Sequence, residues 1–162
     1  MPSKKDKLKP LKDYLDNESK ATVKEMKGHL NGWGLGNSKL ARSIKGRAVS
    51  KNNFFEVEYE MEDYWDYVES GVKGVKKSSV VRKNAFGRFY KFRSTKPSRD
   101  HVKAIEKWGK NKGIPKSASY GIATVVKRDG LQAKQFYNIT LNRRRKNMEK
   151  QIENIIFDIL NK

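Results

Sequence analysis

The 162-residue sequence contains no cysteine, which excludes disulfides, thiolate metal sites and cysteine nucleophiles together and fits a protein that folds in a reducing cytosol or is indifferent to redox state. Histidine is nearly as scarce. His29 and His101 cannot form a histidine-rich metal centre, and neither has a nucleophile or second ligand at a spacing that suggests a triad. No stretch approaches the roughly 20 apolar residues that cross a bilayer, and Met1 to Pro10 lacks the apolar run of a signal peptide, so neither a span nor export by that route is expected. Negative charge is also in short supply: 18 Asp and Glu face 37 Lys and Arg, a formal charge of +19, which puts an anionic partner ahead of enzyme chemistry.

Mean hydropathy is −0.90, toward the disordered range, yet three Trp, seven Tyr and seven Phe supply more aromatic anchors than a disordered chain carries. The charge is segregated. Residues 54–71 carry −7 (Glu56, Glu58, Glu60, Glu62, Asp63, Asp66 and Glu69), and residues 72–96 carry +9 with no acid among them.

Leu11, Tyr14, Leu15, Val23, Met26 and Leu30 recur at helical spacings, and Gly32, Gly34 and Gly36 end that helix. Residues 38–49 are ambiguous. Phe55, Val57, Tyr59 and Met61 alternate with Glu56, Glu58 and Glu60, the pattern of a strand with one wet face. Glu62 to Ser70 suits a short helix stopped by Gly71, and 72–96 reads as a long basic loop or an extended hairpin. Ser98 or Asp100 caps a helix through Val102, Ile105 and Trp108, closed at Gly109 or Gly113. A second helix over 117–128 stops at Gly130. From Leu141 to Leu160 an apolar stripe of Leu141, Met148, Ile152, Ile155, Ile156 and Ile159 opposes Arg143, Arg144 and Arg145. The expected fold is α+β: a single domain over 11–162, after a flexible basic arm over 1–10, in which a small antiparallel sheet packs against helices, with N-terminal and C-terminal amphipathic helices and a long basic central loop or hairpin.

Catalytic constellations are missing, and no enzyme activity and no cofactor are expected. Neither Gly32-Trp33-Gly34-Leu35-Gly36 nor Gly71-Val72-Lys73-Gly74 supplies the glycine-turn-Lys-Ser/Thr frame of a phosphate loop. Glu58, Glu60, Asp63 and Asp66 could gather magnesium for phosphodiester hydrolysis, but a solvated acidic strand face accounts for them more simply. The stronger signal is Phe86, Phe89, Tyr90 and Phe92 interleaved with Arg88, Lys91 and Arg93, an alternation that serves phosphate neutralisation and base stacking, or equally a sheet with outward bases. The candidate nucleic-acid or partner contacts are therefore Lys73, Lys76, Lys77, Arg82, Lys83, Arg88, Lys91 and Arg93, together with Arg143, Arg144 and Arg145.

Three stretches taken together resemble the small neck or tail-completion proteins of tailed double-stranded DNA bacteriophages. Tyr64-Trp65-Asp66-Tyr67-Val68-Glu69-Ser70-Gly71-Val72-Lys73-Gly74 resembles that family's aromatic segment ending in Val-Glu-small-Gly-Thr. Tyr120-Gly121-Ile122-Ala123-Thr124-Val125-Val126-Lys127-Arg128-Asp129-Gly130 is similar to its helix ending in basic residues and glycine. Lys134-Gln135-Phe136-Tyr137-Asn138-Ile139-Thr140-Leu141 stands where the family has Pro-Phe or His-Phe before a final helix. The chain departs from the pattern at Val72, at Gln135 and in its longer, more basic central segment. The resemblance implies an α+β protomer that assembles as a ring, often a hexamer or dodecamer, between portal and tail proteins in the virion, through which the genome passes. Head-to-tail subunits would bring the acidic and basic segments together, which makes Glu56, Glu58, Glu60, Asp63, Asp66, Glu69, Phe89, Tyr90 and Phe92 the candidate subunit interface. A tight DNA grip would hinder ejection, so contact with double-stranded DNA is expected to be transient. The alternative is a free, sequence-nonspecific nucleic-acid-binding protein that uses 72–96 and 143–146.

Overall fold

The computed structural model describes residues 7–51, 54–76, 80–84 and 86–161. The elements run α1 (Lys9–Gly32), α2 (Lys39–Ser43), β1 (Lys45–Lys51), β2 (Phe54–Glu60), α3 (Trp65–Ser70), β3 (Val72–Lys73), β4 (Tyr90–Lys91), α4 (Arg99–Lys110), a 3-10 turn (Lys116–Ala118), α5 (Ser119–Asp129), β5 (Gly130–Leu131) and α6 (Phe136–Leu160). The fold is α+β with small sheets and long first and last helices. It divides into two compact units, Met1–Trp65 with Phe136–Lys162, and Asp66–Gln135. Among the described residues no helix is long and apolar enough to cross a membrane.

In the first unit, α1 buries Leu11, Leu15, Ser19, Thr22, Met26 and Leu30, a stripe at spacings of four and three. Ser19 and Thr22 sit in it at no polar cost, because their hydroxyls donate to the carbonyls of Asp16 and Glu18, each at 2.8 Å. Helix α1 already includes Lys9 and Pro10, so the expected arm over 1–10 gives way to helix there; proline is tolerated in a first turn, whose N–H groups have no intrahelical acceptor. Residues 1–6 lie outside the described residues.

The ambiguous stretch 38–49 resolves into α2, capped by the Ser38 hydroxyl accepting from the Ala41 N–H at 3.1 Å, and strand β1. Strands β1 and β2 pair antiparallel with Arg47 opposite Glu58 and Ala48 opposite Val57. Small Gly46, Ala48 and Ser50 thus face large Tyr59, Val57 and Phe55 on one side of the ribbon. The outward Ala48 N–H is taken by the Asp16 carboxylate at 2.9 Å, which ties β1 to α1. Leu11, Leu15 and Ala48 form a core cluster against which Phe55, Val57, Met148, Ile152, Ile155 and Ile159 pack. Helix α6 starts at Phe136, five residues before the expected Leu141, because Phe136 is wholly buried and the Thr140 hydroxyl bonds back to its carbonyl at 2.7 Å. At the other end of the stripe Ile156 stays exposed.

The second unit is held more by backbone than by apolar burial: among its described residues the buried hydrophobic side chains are Val72 and Ala123. Strand β3 lies between β4, paired in parallel, and β5, paired antiparallel. The expected long basic loop or hairpin over 72–96 is not found as such: β3 and β4 interrupt a continuous loop, and their parallel pairing excludes a hairpin between them, since strands joined by one tight turn run antiparallel. The N–H groups of Val75 and Lys76 donate to the carbonyls of Lys127 and Arg128, both at 3.0 Å, and so satisfy the last turn of α5. Ser98 caps α4 as expected, its hydroxyl accepting from the His101 N–H at 3.3 Å.

Two glycines permit this packing. Gly71 takes φ +73° with its Cβ position 2.6 Å from the Leu131 carbonyl oxygen, and a Cβ on Gly74 would lie 2.3 Å from the Arg128 oxygen. By contrast a Cβ on Gly28, inside α1, meets nothing within 4 Å. Gly74→Ala is therefore expected to cost at least about 2 kcal/mol, and Gly28→Ala to gain about 0.5–1 kcal/mol. Urea denaturation of both variants beside the parent checks the opposite signs.

Candidate nucleic-acid and partner interface

Of the 37 Lys and Arg, 18 fall in the second unit against five Asp and Glu, a formal +13. From Ser70 to Arg99 the sequence has no acid. Lys76, Arg82, Lys83, Arg88, Lys91 and Arg93 are all exposed and Lys73 is half-buried, while Lys77 lies outside the described residues.

The aromatics of this segment separate into two groups. Tyr67 of α3 stacks on Tyr90 of β4, centroids 4.0 Å apart and planes 30° from parallel, and the Lys73 ammonium lies 3.9 Å over the Phe89 ring. Phe86 is 82% exposed. Its position is set by a turn in which the Asn84 side-chain oxygen accepts from the N–H groups of Phe86 (3.0 Å) and Arg88 (2.9 Å), with Gly87 at φ +74°. Asn84, Phe86, Arg88, Phe89 and Tyr90 line an open depression of about 580 Å³. Phe92 is placed elsewhere: half-buried, it stacks on His101 of α4 at 6.3 Å, with the Lys127 ammonium 5.8 Å from its centroid. Within the chain it packs against α4 and apart from the other rings of the segment. Burial and Lys127 push the His101 pKa down.

The acids expected at an interface are largely committed inside the chain. Asp66 is 8% exposed, and its carboxylate accepts from the Ser70 hydroxyl and the Tyr90 phenol, each at 2.8 Å. Glu69 is 3% exposed. Within the chain α3 turns both inward. In the first unit Glu58 accepts from Arg47 at 2.9 Å, and Glu60 lies 3.5 Å from the same guanidinium. Lys51 pairs with Glu56 and approaches Glu58 at 3.6 Å. The adjacent Arg47 holds the Glu58 carboxyl below its ordinary pKa. This wet face is a ladder of exposed cross-strand pairs rather than a free acidic surface. Asp63 is exposed. Among the described residues no group of three or more acids or histidines could hold a metal ion.

The arginine run of α6 also divides. Arg144 bonds Glu18 of α1 at 2.9 Å and lies 3.6 Å from Glu25, with both partners of the shorter pair mostly buried. Arg143 reaches Glu25 at 3.4 Å, and Arg145 pairs with Glu149 one turn along its own helix at 2.7 Å. Arg144 therefore joins two helices of one unit and is a poor phosphate contact. Sequence reading missed Tyr67 and Asn84 as parts of the aromatic surface. The signal for Asn84 was there, an Asn three residues before Gly in a basic stretch.

Comparison with protein-family models, with curated proteins and with solved structures finds no match to this chain.

Removing Arg144 and Glu18 singly and together should reveal a coupling of about 1 kcal/mol in urea unfolding, larger than that of Arg145 with Glu149 on the surface. The bond to Asp66, with burial, raises the Tyr90 pKa. A raised phenol pKa stabilises the fold fully below the unfolded value of about 10 and loses that contribution as pH climbs through the folded value. Tyr90→Phe is expected to lower the melting temperature at pH 7–9, with the gap to the parent closing in more alkaline buffer.

Proposed function

We propose that this chain is a structural subunit of the neck of a tailed bacteriophage, a head-to-tail connector or tail-completion protein without catalytic activity. One observation carries the reading. Two of the stretches that resemble that family, 64–74 and 120–130, are 46 residues apart in sequence yet meet through backbone: β3 pairs with β5, and Gly74 packs onto Arg128 and Gly130 where a side chain would collide. The third stretch supplies wholly buried Phe136 at the start of α6. Residues that resemble a family only loosely as strings thus meet in the backbone pairing of the second unit, as expected if they were inherited as a structural set.

In this role the protomer joins a homo-oligomeric ring between portal or other connector proteins and tail proteins. It assembles in the host cytoplasm and resides in the virion neck. The basic central segment from 72 to 96 reaches a neighbouring protein, and duplex DNA passes with transient phosphate contact. A chain with +13 on 70 residues and few buried apolar side chains gains from such a partner, because opposing charge relieves its self-repulsion.

Light scattering at low and high salt, followed by mixing with portal rings and tail components, tests the reading. A defined oligomer, or a monomer that joins a portal ring, is the expected result. A protein that stays monomeric with every partner and never enters particles defeats it.

A further inference from the structure

We propose that the exposed aromatic and basic face of the second unit is a binding site for single-stranded nucleic acid, which it holds by stacking bases on Phe86 and the neighbouring rings while the surrounding Lys and Arg neutralise phosphates. This goes beyond a ring subunit that duplex DNA merely passes.

Charge complementarity argues for a polyanion. Arg88 lines the depression in the open, Lys91 is exposed one residue past Tyr90 on β4, the Lys73 ammonium stands over Phe89, and Asp66 is spent on Tyr90 and Ser70. Glu69 is buried. From Ser70 to Arg99 the sequence carries no acid, so a phosphate held by this segment meets no carboxylate of the same stretch.

The aromatics decide which polyanion. An exposed Phe ring gains little from an undistorted duplex, whose bases are already stacked, and can wedge between its base steps only at an unstacking cost of a few kcal/mol. A single strand offers free base faces, and stacking on protein aromatics is insensitive to sequence because every base has a π-face. Phe86 is the most exposed aromatic of this face, and the Asn84 turn fixes where it stands: two N–H groups are held by the Asn84 side chain, and the Asn84 N–H itself donates to the Arg88 carbonyl at 2.7 Å. The backbone that carries Phe86 is thus held, so stacking has to order the side chain and not the turn beneath it. Beside it the Tyr67–Tyr90 pair and Phe89, backed by the Lys73 ammonium, continue the aromatic surface. Phe86, Phe89 and Tyr90 share the lining of one open depression with Asn84 and Arg88.

The test uses the full chain and fluorescence anisotropy with labelled 20-mer oligo-dT, a 20-base-pair duplex and a 20-residue poly-glutamate. Oligo-dT is expected to bind more tightly than either competitor. Phe86→Ala, which truncates an exposed ring, should weaken oligo-dT binding about tenfold without shifting the melting temperature. Arg88→Gln with Lys91→Gln should flatten the salt dependence by about 0.7 for each phosphate that is no longer neutralised. Duplex binding as tight as oligo-dT with no response to Phe86→Ala overturns the proposal, as does binding of neither. Poly-glutamate binding that matches oligo-dT overturns it in favour of an acidic protein partner. None of these outcomes bears on whether the chain joins a portal ring, so the two readings fail separately.

Discussion

The packing of the last helix against the first is the constraint on which the first unit depends. Met148, Ile152, Ile155 and Ile159 of α6 complete the cluster around Leu11, Leu15 and Ala48, and Arg144 closes the same seam on Glu18 and Glu25. A two-stranded ribbon is marginal by itself, so β1 and β2 need both helices to cover Val57 and Phe55. The core of this unit is therefore complete only when the C-terminal helix has docked. In sequence the second unit, Asp66–Gln135, is an insertion between the two segments of the first.

That insertion follows a different physical logic. With few apolar side chains to bury, its order comes from backbone pairing: β3 between β4 and β5, and Val75 and Lys76 closing the end of α5. Such pairing requires close approach of main chains, which Gly71 and Gly74 allow and any other residue would obstruct. Its charge of one sign opposes compaction, and the small core offsets that only modestly. Like-charge repulsion and compaction thus pull against each other in the same 70 residues, a conflict that opposing charge would relieve.

Local pattern was legible where a periodic stripe or a cap decides the outcome. The α1 stripe, the alternation of β2, the Ser98 cap and the stops at Gly71 and Gly130 follow from residue spacing and from the conformations glycine permits. The site was half legible. Phe86, Phe89 and Tyr90 do lie with exposed bases, but Tyr67 joined them from 23 residues upstream by stacking on Tyr90, and Phe92 left them for His101. Charge was the least transferable reading. Exposed acids in a row suggested an interface, whereas Glu56, Glu58 and Glu60 found Lys51 and Arg47 across the strand pair and Asp66 found Tyr90.

By itself the sequence determined the fold class, the two long helices, the surest strand and the segregation of positive charge into the central region, because periodicity, capping and net charge are properties of neighbours along the chain. Only the tertiary structure decided the parallel pairing of β3 with β4, the partner of each acid and which aromatics share a face. Those depend on groups brought together across tens of residues, where hydrogen-bond geometry and close backbone approach, rather than composition, choose the partner.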